Sequence, residues 1–121
     1  MPTQTATLHA WKHVPKKEVT TGLTRQFITA SRVTVARFSM KRGCVVPAHA
    51  HENEQVTFVV SGALKFSVEG RDVLVRAGEL LELPPHVTHG VEVVEDTEAI
   101  DVFSPVRQDW IDGTDTYFKQ R

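Results

Sequence analysis

Four of the six histidines in this 121-residue chain, His49, His51, His86 and His89, fall in two short segments about forty residues apart. Imidazole is a good ligand for divalent transition metals, and rings two residues apart in an extended segment project to the same side. His49 and His51 can therefore address one point. Gln55, beyond Glu52, Asn53 and Glu54, shares a face with Thr57 and Val59 if a strand begins there. The chemistry on offer is that of a bound cation that polarises a substrate oxygen or activates a water. The pair alone leaves a second reading open, because two histidines at this spacing also arise by chance. His89 likewise reads either as a ligand or as a core histidine held in a turn. His86 reads as a turn or rim residue, and His9 and His13, beside Trp11, read as surface residues.

A second carrier of chemistry lies in the run from Ile100 to Arg107, where Asp101 interrupts an otherwise apolar strand and, with Phe103, alternates with Ile100 and Val102. Facing water, Asp101 belongs to an ordinary edge strand. Facing inward beside a cation, it feels burial raising its pKa and the metal lowering it, and a carboxyl so balanced can move protons. Arg107 follows Pro105, which ends the strand, so its side chain either returns over the mouth of the fold or lies in solvent. Over the mouth, a guanidinium binds a carboxylate through two parallel hydrogen bonds. Cys44 adjoins Val45 and Val46, and a thiol in such a setting is inert.

These groups need a scaffold, and the pattern from about Gly22 onward is strand, turn, strand. Gly43, Pro47, Gly62, Gly70, Gly78, Pro84, Pro85 and Gly90 divide short β-rich runs. Strands are expected at residues 23–28, 32–40, 55–60, 64–69, 71–76, 80–83, 90–94 and 99–103. Leu64, Phe66 and Val68 alternate with Lys65 and Ser67, as a half-buried strand requires, and Gly70 marks a tight antiparallel turn. Such regular punctuation favours an all-β sandwich or barrel. The segment before Gly22 reads as an arm that crosses a surface. Gln108 to Arg121, with Trp110, Ile111, Tyr117 and Phe118, reads as a short capping helix or packed tail.

Composition narrows the partners. Lys and Arg number 14 against 15 Asp and Glu, for a formal net charge of -1, so no basic field exists to collect nucleic acid or anionic lipid. One cysteine allows no internal disulfide and fits a reducing, cytoplasmic setting. The first ten residues lack the pattern of a signal peptide, and no apolar run approaches the roughly 20 residues of a membrane-spanning helix. The partners expected are a small-molecule substrate and a second copy of the chain, with the arm adding a strand to its neighbour.

The segment from Gly43 through Pro47, His49, His51 and Gln55 to Gly62 resembles the first motif of the cupin superfamily. Gly78 through Pro84 to His89 looks like the second. The resemblance implies one cupin domain over residues 1–121, an RmlC-like jelly-roll β-barrel with its core at about 22–107. It also implies one divalent transition metal (Mn, Fe, Ni, Co, Cu or Zn) on His49, His51, Gln55 and His89. Two positions depart from the common pattern: Gln55 stands where many cupins have glutamate, and His86 where the second motif has glycine. A neutral amide in the ligand set leaves the ion's charge uncompensated, and the ion then acts as a stronger Lewis acid toward an anionic ligand.

The glutamine, with Asp101 and Arg107, is similar to the small cupins of pectin and alginate breakdown, which linearise 4,5-unsaturated uronates. By that resemblance Asp101 shuttles a proton during ring opening and tautomerisation, and Arg107 holds the sugar carboxylate with Phe103 beside it. Other implied activities are those of manganese-dependent hydroxynitrile lyases and of metal-dependent dioxygenases. A non-catalytic sugar- or anion-binding cupin is the reading outside enzymology. Sensor domains of that kind are attached to a DNA-binding segment, and no helix-turn-helix pattern occurs here.

Overall fold

The computed structural model describes residues 5–115. Eight strands form: β1 (Lys17–Thr20), β2 (Leu23–Thr29), β3 (Thr34–Met40), β4 (Val45–His49), β5 (Glu54–Val68), β6 (Arg71–Arg76), β7 (Leu80–Leu83) and β8 (His89–Ser104). One short helix follows, α1 (Gln108–Asp112), and a 3-10 turn covers Trp11–His13. All strand pairings are antiparallel, so the expected all-β barrel is what forms.

Two long strands organise the barrel. The first half of β5 pairs with the end of β8 and with β7, as in Thr57 opposite both Asp101 and Leu81. Its second half pairs with the start of β8 and with β6, as in Leu64 opposite both Val93 and Val75. With β1, β2 and β3 beside the end of β8 and β4 beside its start, one sheet bends into two layers that share β5 and β8. Leu64, Phe66 and Val93 of the smaller layer meet Ala36, Phe38, Met40 and Ala99 of the larger one in a single buried cluster. Removing that apolar surface from water is the main force closing the layers.

The bend explains a difference from the sequence reading, which ends strands at Val60 and Val94. The register shifts between Val59 and Leu64, so the breakers there are bulges inside long strands and not hairpin turns. Gly62 sits at φ +90°, and a Cβ there would overlap the Asp96 carbonyl oxygen. Thr97 Oγ1 fastens the same corner, accepting from the Ala63 N–H at 3.0 Å.

The arm also differs from expectation. Lys17 and Glu18 pair with Arg25 and Thr24 of the same chain, so the arm carries a strand, β1, at the edge of its own sheet. Gln26, whose Nε2 donates to the carbonyls of Trp11 at 2.6 Å and Val14 at 2.8 Å, pins the preceding turn to β2. The capping helix is α1, ended by Gly113 in the left-handed conformation. Tyr117 and Phe118 lie outside the described residues. Among the described residues no helix is long and apolar enough to cross a membrane.

Candidate metal centre

The smaller layer delivers two imidazoles together, because His49 at the end of β4 is the register partner of His89 at the start of β8. The larger layer delivers Gln55 and, diagonally across the ladder through Thr57, Asp101. His51 comes from the short connection into β5. Ring centroids lie 4.6 Å apart for His49 and His89, 5.1 Å for His51 and His89, and 5.7 Å for His49 and His51. One nitrogen from each ring falls within 4.8 Å of the others.

Backbone carbonyls aim the rings. His49 Nδ1 meets Pro47 O at 2.7 Å, His51 Nδ1 meets Asn53 O at 3.1 Å, and His89 Nδ1 meets Val87 O at 2.9 Å. A carbonyl oxygen only accepts, so each Nδ1 carries the proton and each neutral ring offers a bare Nε2. Burial favours that neutral form. It pushes His49 and His51 down to about 4, helped at His49 by the neighbouring imidazoles and at His51 by the Arg107 charge. His89 is lowered for the same first reason, burial.

His51 Nε2 then meets Gln55 Oε1 at 3.1 Å. The amide is oriented by its other end, where Nε2 donates to Thr57 Oγ1 at 2.9 Å and reaches toward Asp101 Oδ2 at 3.4 Å. Two lone pairs thus face each other with no hydrogen between them. In a buried setting that arrangement repels unless a cation lies between the donors. Three bare imidazole nitrogens and this amide oxygen therefore suit a divalent transition metal.

Asp101 is buried at 7% exposure, on the inward face. Burial pushes its carboxyl up to about 7, against the pull of the Thr57 hydroxyl and the Arg107 charge. Its Oδ1 has no hydrogen-bond partner among the described residues. Phe103, two residues along the same face, packs edge-on against His51 at 5.7 Å. His49, Gln55, His89, Asp101, Phe103 and Arg107 all line one interior cavity of about 40 Å³. Such a space holds roughly three waters.

Arg107 is not a solvated residue; it is 1% exposed. Its fork already grips a carboxylate, with Nε donating to Asp109 Oδ1 at 2.9 Å and an Nη to Asp109 Oδ2 at 2.7 Å. Its guanidinium lies 4.7 Å from the Phe103 ring centroid and 4.3 Å from that of Trp110. Burial opposes charge on Asp109, but the Arg107 hydrogen bonds and charge outweigh it and hold that carboxyl below its usual range.

The site also takes in three residues that are not candidates on sequence grounds: Thr57, Asp109 and Trp110. A lone threonine in a strand carries no signal, whereas an acid two residues from Arg107 was a readable one. His86 holds φ +66°, a left-handed value that accounts for glycine being usual there, and its N–H donates to the His51 carbonyl at 2.8 Å. Exposed His9 and His13 join no cluster among the described residues. The half-buried Cys44 thiol is pushed up by burial.

The cupin domain family profile matches residues 36–103. The pectin degradation protein KdgF of Dickeya dadantii is 27% identical over 100 residues, 80% of this chain and 91% of that protein. Acireductone dioxygenase of Bacillus pumilus is 34% identical over 59 residues, covering 45% of this chain. That match spans only 34% of the dioxygenase's length. Among solved structures, KdgF from a Halomonas species superposes with a TM-score of 0.81 at 28% identity, covering 88% of this chain and 99% of that one.

Proposed function

The chain belongs to the cupin domain family, and on that premise we propose that it is a metal-dependent enzyme that linearises 4,5-unsaturated uronates. The observation that carries the reading is the convergence of the His49, His51 and His89 imidazoles on one point, with Gln55 Oε1 3.1 Å from His51 Nε2, beside a buried carboxyl whose pKa is raised to about 7. Likeness to KdgF proteins over most of both chains supports the substrate class. A divalent ion on His49, His51, Gln55 and His89 supplies Lewis acidity toward the substrate's oxygens.

The chain's own groups account for the protons. Linearisation is an isomerisation: the hemiacetal O–H proton leaves, the ring C–O bond at that carbon breaks, and a proton arrives at the enol carbon to leave a ketone. One carboxyl can carry both transfers if its pKa lies near the working pH, and burial raises that of Asp101 to about 7 in the metal-free fold. Phe103, beneath the Arg107 guanidinium, lines the cavity that takes the sugar, and Arg107 is the cation for its carboxylate.

The test uses the products of a pectate or alginate lyase digest. Metal-loaded protein should abolish their conjugated ultraviolet absorbance, and chelator-treated protein should not. The short match to acireductone dioxygenase favours a second reading. Oxygen uptake by the iron-loaded protein, with the uronate absorbance untouched, would establish that one instead.

We read the protein as a cytoplasmic homodimer. Its lone Cys44 supports the compartment. Phe58, Leu80 and Val102, apolar and exposed on the outer face of the larger layer, support the second copy. A solution mass near 13.5 kDa would overturn the dimer.

A further inference from the structure

The cavity beside the histidines is lined by strand residues and, outside the strands, by Arg107 and Trp110. Strands cannot withdraw without breaking ladders, whereas α1 has only five residues and no ladder. A helix that short is not stable by itself, so side-chain contacts hold it. Trp110 is 5% exposed and packs on Phe27, Phe38 and Phe103 with centroids 5.3, 6.0 and 5.0 Å away. Two carboxylates complete the attachment: Asp109 on Arg107, and Asp115 on the buried Arg25 at 3.0 Å.

The segment before α1 is held by hydrogen bonds of its own. Asn53 Nδ2 donates to the carbonyls of Pro105 at 2.6 Å and Val106 at 3.1 Å, and the Arg107 N–H donates to Thr34 Oγ1 at 2.9 Å. The chain is thus fastened to β3 and to the start of β5 as far as Arg107. Lifting α1 about that point would leave the guanidinium in place and strip Asp109 from it. It would also withdraw Trp110, which lines the cavity beside His49, His89 and Asp101.

We propose that α1 is a resident occupant of the substrate space, in which Asp109 holds on Arg107 the position of a substrate carboxylate. An acidic sugar enters by exchange: its carboxylate takes the fork, its ring takes the space of Trp110, and the helix lifts away. Asp115 on Arg25 sets how strongly the helix resists. A neutral sugar has no carboxylate to trade for Asp109, so the exchange selects for charge before any chemistry begins. The identity of the incoming ligand rests on the uronate reading; the displaceable helix does not.

The test reads Trp110 in metal-loaded full-length protein carrying Trp11→Phe, so that one tryptophan remains. D-galacturonate is the probe and D-galactose its neutral counterpart. Galacturonate should raise quenching of Trp110 by acrylamide, and galactose should leave it unchanged. Asp109→Asn and Asp115→Asn should each raise quenching with no ligand and tighten galacturonate binding by roughly 5- to 10-fold, because less of the protein is closed. Protection of Trp110 by bound galacturonate would overturn the proposal, as would unchanged quenching in both Asp109→Asn and Asp115→Asn with each shown to be folded by circular dichroism. Opening by galacturonate without loss of unsaturated uronate would sink the enzymatic reading alone. Turnover with Trp110 shielded throughout would sink the exchange alone.

Discussion

His51 Nε2 and Gln55 Oε1 face each other across 3.1 Å, each group held by a hydrogen bond at its far side, and with the ring proton on Nδ1 no hydrogen lies between them. In the metal-free protein this contact is a local repulsion, and a positive charge relieves it. Gln55→Glu supplies a carboxylate that favours a proton on the facing ring. The His51 pKa in metal-free Gln55→Glu should therefore rise from about 4 toward the ordinary 6.5 or beyond. Imidazole NMR signals followed against pH measure it, and an unmoved His51 would mean that the two groups do not face each other in solution.

Each histidine gives one of few donors. His51→Ala and His89→Ala should weaken metal binding by more than about 100-fold, beyond what loss of an outer partner does. Metal analysis of protein purified without added ions is the measurement. Full occupancy in both variants would dismiss the ligand set.

The imidazoles and Asp101 pull stability in opposite directions with pH. His49 and His51 titrate at about 4 in the fold against 6.5 ordinarily. Between those values the unfolded chain binds more protons, so metal-free protein loses stability as pH falls through that window. Asp101 titrates at about 7 against 3.8, so there the folded form binds the extra proton and stability is lost as pH rises toward 7. Asp101→Asn removes the opposing contribution. Urea midpoints of the variant between pH 4 and 6.5 should climb with pH more steeply than those of the parent, and a shallower climb would contradict the assignment.

The same substitution separates binding from chemistry. Asp101→Asn should retain metal and lose turnover by roughly 10²- to 10⁴-fold, the range for a proton-transferring group. Single-turnover rates at equal metal content decide it.

Gly62 tests the fold where its two layers join. A methyl group there overlaps the Asp96 carbonyl oxygen at a backbone angle that side chains rarely adopt. Gly62→Ala should destabilise the protein by at least about 3 kcal/mol in denaturant unfolding.

The histidine spacing made the cluster readable because period-two geometry is local: where the chain stays extended past the end of β4, residues 49 and 51 share a side. The lengths of β5 and β8 were not readable, since Gly62 and the Glu95-Asp96-Thr97 run have the composition of turns and only the cross-strand register reveals them as bulges. The arm's strand escaped because Lys17–Thr20 is polar and exposed on one side, with an ordering that depends on β2. Asp101 was legible as an anomaly but its direction was not; a tertiary fact, the pairing with Thr57, turns it inward. The occupied fork of Arg107 depends likewise on the turn into α1.

Because the smaller layer supplies His49 and His89 and the larger one Gln55, an ion held among them would rivet the two leaves at the end where no hydrogen-bond ladder crosses. Loading would then stiffen the whole sandwich against splaying, and chelation would loosen regions remote from the histidines. Metal supply in the cell would in that way govern how long the protein lasts as well as whether it works.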